Sequence, residues 1–167
     1  PYMGLIDHDG WSVVSSSPEL LVEVRDDELA TRPIAGTRPR EEGARDRLAA
    51  SEKERAEHSI LVDLARNDIG KVSRYGTVEV EEFAAVVPYS ELYHLESVVT
   101  GTKRDSVDAV DALSAVFPGG TVTGAPKPRT LRIIENVEPT ERGPYTGSMG
   151  RIGLDGNATF NILIRTA

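Results

Sequence analysis

Residues 15–33, SSSPELLVEVRDDELATRP, decide the fold class. Two short runs, Leu20–Arg25 and Glu28–Arg32, flank the acidic pair Asp26-Asp27, which favours a turn. That pattern predicts two antiparallel strands. Upstream, residues 3–6 and 11–15 flank His8-Asp9-Gly10 and predict a further hairpin. The first part of the chain therefore reads as antiparallel sheet.

Downstream the period changes. Residues 37–43 form a polar, proline-marked connection, and from residue 45 to 64 Leu48, His58, Leu61 and Leu64 recur at helical spacing, with Gly70 as the stop. Alternation around Val78 and Val80 returns to strand, Pro88 marks a break, and residues 92–99 read as another strand. A second helix is expected over 106–116, capped by Asp105 or Ser106, with Val107, Val110, Leu113 and Val116 inward. A third is expected over 128–137, with Leu131, Ile134 and Val137 inward, and strands over 148–154 and 158–165 close the chain. Sheet, helix, sheet, helices, sheet is an α+β order, with antiparallel sheets and packed helices.

The totals limit what such a fold can do. A chain of 167 residues suits one domain with its own core. With no cysteine there is no disulfide framework and no thiolate zinc site. A formal charge of -8 argues against broad nucleic-acid binding, and no apolar run is long enough for a membrane span, so a cytoplasmic location is expected. The chain starts in one strand-like run and stops in another, so it is expected to be part of a longer polypeptide, truncated at both ends.

Several residues carry possible chemistry. Glu54 and Glu57, one helical turn apart, could face a cleft and hold magnesium or share a proton; they could equally be a solvated face paired with Lys53 and Arg55. Glu19, just before an apolar strand, could be raised in pKa for acid catalysis or be an ordinary turn glutamate. In TRPIAGTRPR, residues 31–40, Gly36 and Thr37 could offer an anion site beside Arg38 and Arg40, or form a surface elbow. His94 sits in an apolar run, where a neutral core histidine is the common outcome.

FPGGTVTGAPKPR, residues 117–129, has the glycine spacing of a phosphate loop at Gly119 and Gly124. Ala125-Pro126 then separate Gly124 from Lys127, and Pro128 removes an amide. The phosphate-loop reading fails. A hydroxyl-rich turn leading into a helix remains, with Thr121 and Thr123 able to hold a carboxylate; Tyr145 and a strand-borne Arg165 add a phenol and a guanidinium.

Taken in order, SPELLV, RPIAGTRPR, EKERAEHSILVDLARNDIGKV, HLESVV, FPGGTVTGAPKPR, RGPYTGSMG and ILIRT resemble the chorismate-utilising enzyme family. The likeness covers nearly the whole chain. It is to the C-terminal catalytic part of the large subunits of anthranilate synthase and aminodeoxychorismate synthase. The resemblance implies a large α/β sandwich around a cleft that binds chorismate with magnesium. It assigns Glu57, with Glu54 close by, to the metal, Glu19 to protonation of the departing ring hydroxyl, and His94 to the active site. Gly36, Thr37, Thr121, Tyr145 and Arg165 are assigned to substrate. It also implies a glutamine amidotransferase partner that supplies ammonia, and the remainder of the parent chain.

The choice between the two products rests on Ala35, where aminodeoxychorismate enzymes commonly carry lysine; PIAGT therefore resembles anthranilate synthase. Thr123 and the run ATFNILIRT resemble the other group. Isochorismate or salicylate synthesis and a non-catalytic binding fragment are more distant alternatives. Family members continue past the IRT strand to a second magnesium ligand, so residues 1–167 alone are expected to lack substantial activity. The connection over residues 40–50 is compressed relative to the family, and residues are expected to be missing there.

Overall fold

A computed structural model describes residues 2–167. The hairpin β1 (Tyr2–His8) and β2 (Trp11–Ser17) is followed by β3 (Leu20–Arg25), β4 (Glu28–Arg32) and β5 (Ile34–Pro39). Helices α1 (Ala44–Ala49) and α2 (Glu52–Gly70) precede β6 (Glu79–Pro88) and β7 (Leu92–Thr102). Then come α3 (Ala109–Val116), the single turn α4 (Gly120–Thr123), α5 (Lys127–Val137), β8 (Ser148–Ile152) and β9 (Ala158–Ile162). All strand pairings are antiparallel. The main sheet has the order β5-β7-β4-β3-β9-β8, with β6 on the other edge of β7. The mixed antiparallel sheet and packed helices agree with the sequence reading.

The long strand β7 organises the sheet. Along one edge it pairs with β4, from Thr31↔Val99 to Glu28↔Thr102, and with β5, from Ile34↔Glu96 to Pro39↔Leu92. Pro33, between those strands, cannot donate to the ladder, but its carbonyl accepts from Ser97 N at 3.2 Å, so the edge stays paired across the break. Residues 34–39 are thus a strand, where the sequence reading has a connection beginning at Thr37. Alternation along β7 sends Leu95 and Ser97 to the helical side and His94 and Glu96 to the other. Leu95 packs with Leu48 of α1 and Ala84 of β6. The larger core joins Leu21, Val22, Val24 and Leu29 of β3 and β4 to Ile69 of α2, Ala112 and Val116 of α3, and Phe160 and Ile162 of β9.

Four local expectations are corrected. The helix expected over 45–64 is two helices, because Ser51 ends one and caps the other by accepting from Glu54 N at 3.4 Å. The second helix starts three residues later than expected: Asp108 accepts from Val110 N and Asp111 N while Asp111 returns a bond to Asp108 N, a reciprocal cap. That start turns Ala109 and Ala112 inward and leaves Val110 exposed. The α5 stripe is not buried: Leu131 and Val137 are exposed, as are Met3, Leu5, Trp11 and Val14 on the first hairpin. Finally, β9 ends at Ile162, so Arg165 is not strand-borne; at φ 52 it bends the chain toward β2, where Thr166 bridges Ser15. No helix among the described residues is long and apolar enough to cross a membrane.

Candidate functional site

His94 and Thr37 meet because β5 changes register at Gly36. Ala35 pairs with Leu95, but Thr37 pairs with His94, and the intervening Gly36 has φ +64, a conformation glycine adopts without a Cβ penalty. Thr37 Oγ1 lies 2.9 Å from His94 Nδ1, and the Gly36 carbonyl lies 3.3 Å from the same nitrogen. A carbonyl can only accept, so Nδ1 carries the proton and Nε2 keeps its lone pair. Burial lowers the imidazole pKa, the Gly36 carbonyl opposes that shift, and the Arg165 guanidinium reinforces it. The result is an imidazole held in its neutral form, with the Nε2 lone pair unprotonated. Glu54 approaches Gly36 from the helical face, with Oε2 3.1 Å from where a Cβ on Gly36 would lie.

Glu19 is held in the opposite protonation sense. Pro18 precedes it and Ser17 caps the local turn, receiving Glu19 N at 3.2 Å, so the side chain is directed inward and is 5% exposed. Burial raises its pKa to about 7; the Thr121 hydroxyl and the Ile34 backbone, both nearby, pull the other way. Thr121 Oγ1 is buried with no hydrogen-bond partner among the described residues. Glu19 and Thr121 line one small pocket, about 30 Å³, with Leu61, Leu64 and Asp68. That is room for water, not for a ring.

The lysine of residues 117–129 has a structural task. Lys127 is 9% exposed, forms an ion pair with the buried Asp68, and donates to the Val116 carbonyl at 2.6 Å. Asp68 also accepts from Lys71 Nζ at 2.8 Å. This network ties the segment carrying Thr121 to α2. Close packing helps: a Cβ on Gly120 would come within 2.4 Å of Leu64 Cδ2.

The site residues read from sequence thus fall into two contacting groups. His94, Thr37 and the Gly36 carbonyl form one, with Arg165 acting electrostatically on His94; Glu19 and Thr121 form the other, and the Ile34–Gly36 segment links them, with Glu54 approaching Gly36 from the helical face. Glu57 stands outside both, with its side chain 57% exposed and 3.8 Å from Lys53 Nζ. Tyr145 is also exposed, its ring lying 5.8 Å from the Arg142 guanidinium. Arg142 reaches the Val122 carbonyl at 3.2 Å, which connects the Tyr145 turn to α4.

As donors, Glu54 and Glu57 offer hard carboxylate oxygens one helical turn apart, which suits magnesium completed by water and substrate oxygens. No group of three or more His, Cys, Asp or Glu side chains is placed to share a metal among the described residues. Sequence reasoning missed Tyr89, whose ring lies 5.0 Å from the His94 imidazole, and Glu96, which accepts from the Tyr89 hydroxyl. The signal for Glu96 was its spacing of two from His94 on a strand; the Tyr89 contact had none.

The model of the chorismate binding enzyme family matches residues 1–167. An anthranilate synthase component 1 of Haloarcula marismortui is 57% identical to this chain, over 99% of it and 34% of its own length. The aminodeoxychorismate synthase component 1 of Bacillus subtilis is 53% identical, over 99% of this chain and 37% of its own length. The crystal structure of anthranilate synthase component I from Streptococcus pneumoniae TIGR4 superposes with a TM-score of 0.91 at 40% identity, covering 99% of this chain and 37% of that one. The chain therefore spans about a third of the length of the curated relatives it matches.

Proposed function

The chain belongs to the chorismate binding enzyme family, and from that premise we propose that it is the catalytic portion of an anthranilate synthase component I. The observation that carries the reading is an acid and a base in complementary states. Glu19 is neutral below about pH 7 and can give a proton, while His94 is neutral with Nε2 free and can take one. Conversion of chorismate and ammonia to anthranilate, pyruvate and water needs both. Nitrogen adds at C2 as the 4-hydroxyl leaves as water with the Glu19 proton. The C2 proton is then removed, the enolpyruvyl C–O bond breaks, and pyruvate departs as the ring becomes aromatic.

Thr37 supplies a hydroxyl beside His94, Thr121 one beside Glu19, and Arg165 a cation near His94. Tyr145, exposed here, contributes a phenol. Glu54 and Glu57 would hold magnesium, which when bound supplies positive charge against a substrate carboxylate. Ammonia would arrive from a glutamine amidotransferase subunit, as the likeness to component 1 proteins supports.

Ala35 favours this product, since it offers no amine at the displaced position. The Bacillus subtilis relative favours a second reading, amination at C4 without pyruvate loss. Incubating the full-length protein with chorismate, magnesium and ammonia and identifying the product separates them. Anthranilate with one equivalent of pyruvate supports the first reading; aminodeoxychorismate without pyruvate selects the second.

A further inference from the structure

The turn between β6 and β7 brings Tyr89 against two residues of one sheet face. Its ring meets the His94 imidazole edge-on, with centroids 5.0 Å apart and planes at 76°. Its hydroxyl donates to Glu96 Oε2 at 2.7 Å, and the other Glu96 oxygen accepts from Arg32 Nη1 at 3.4 Å. The turn itself is pinned, because Tyr89 N donates to the Leu92 carbonyl at 2.8 Å and Arg40 donates to the Tyr89 carbonyl at 3.2 Å. Glu96 is buried, which is costly for a carboxylate, and an apolar residue would fill the same volume without that cost. Packing alone does not account for it.

We propose that Glu96 and Tyr89 are positioning residues for His94: the carboxylate fixes the phenol, and the phenol ring, together with Thr37 and the Gly36 carbonyl, holds the imidazole in one orientation with Nε2 toward the substrate. The inference rests on the proposed role of His94. The other charged or titratable groups bearing on this face are Arg32 from β4, Tyr2 from β1, Glu23 from β3 and Arg165 from the C-terminal segment. None of these replaces the ring contact. Loss of the hydroxyl or of the carboxylate frees the ring to turn, and small misplacements of a reacting group cost rate more than binding.

The test uses the full-length protein with Tyr89→Phe, Glu96→Gln and both together, and reads kcat, KM for chorismate, melting temperature and the His94 ring proton resonances by NMR. Each single variant is expected to lower kcat about tenfold with KM within about twofold, and to shift the His94 resonances. The double variant is expected to be no worse than the singles, because the two residues form one device. Unchanged kcat in both single variants, with His94→Asn inactive, overturns the positioning role whatever happens to the melting temperature. Should His94→Asn retain full activity, the catalytic reading of His94 fails separately. The resonances then decide alone: movement in both single variants supports the clamp, and no movement overturns it.

Discussion

His58 Nε2 lies 2.6 Å from Ser97 Oγ, and the same hydroxyl accepts from Ala84 N at 2.8 Å. One buried serine thus joins helix α2, strand β7 and the bulge of β6, where Ala84 has φ 51. Glu57 and His58 are adjacent, so this bond also sets the rotation of the helix edge that carries Glu54 and Glu57. Burial, reinforced by Arg55, lowers the His58 pKa to about 4. His58→Ala is expected to destabilise the fold by about 3 kcal/mol, through a cavity and a serine left short of a partner. Urea unfolding at neutral pH measures it; a loss below about 1 kcal/mol would show that the bond is dispensable.

Glu19 and His58 give pH dependences of opposite sign. For His58 the folded pKa is depressed, so its contribution is present above the ordinary value of 6.5 and is lost as pH falls toward about 4. For Glu19 the folded pKa is raised, so its contribution is full below 4.5 and is lost as pH rises through about 7. A shift of that size corresponds to about 3 kcal/mol. Glu19→Gln is therefore expected to flatten the decline in stability between these two values, leaving the acid loss from His58 visible. Unfolding free energies at half-unit pH steps check this, and parallel wild-type and variant curves would contradict the raised pKa.

The ion pair between Lys127 and Asp68 predicts a third outcome. Lys127→Met removes the partner of a buried carboxylate, though Lys71 remains at 2.8 Å. The expected cost is about 3 kcal/mol, and adding Asp68→Asn should recover part of it, because a neutral amide tolerates burial better than a lone charge. A double-mutant cycle by chemical denaturation measures the coupling. Additive losses would mean that Asp68 and Lys127 act independently.

The sequence made the sheet and the helix α2 legible because their periodicity is local. Glu19 and His94 were legible as candidates for a similar reason: one stands polar just before an apolar run and the other within one. The break before α2 was also written locally, as Ser51 followed by Glu54, the spacing of a capping box, yet it was outweighed by the continuous helical period on both sides. Arg165 was misread because a single residue at φ 52 ends a strand-like run, and nothing in ILIRT announces it. Lys127 enters the sequence reading only as the lysine of a rejected phosphate loop, and its structural role was hidden because its partner, Asp68, is 59 positions away. The contact between Tyr89 and Glu96 depends on a strand returning from a turn, so only three-dimensional register reveals it.

Gly36 and Gly76 separate backbone strain from contact. Both have positive φ, +64 and +79, so alanine at either position carries a strain of about 1–2 kcal/mol. At Gly76 a Cβ would meet nothing within 4 Å, whereas at Gly36 it would lie 3.1 Å from both Glu54 Oε2 and Leu48 Cδ1. Gly76→Ala is therefore expected to lose stability only. Gly36→Ala should lose a similar amount and in addition push Glu54 away and disturb the pairing of Thr37 with His94, so that its KM for chorismate rises about tenfold in the full-length protein. Melting temperatures and steady-state kinetics of the two variants make the comparison. Equal KM values would show that the register change at Gly36 serves the fold and not the site.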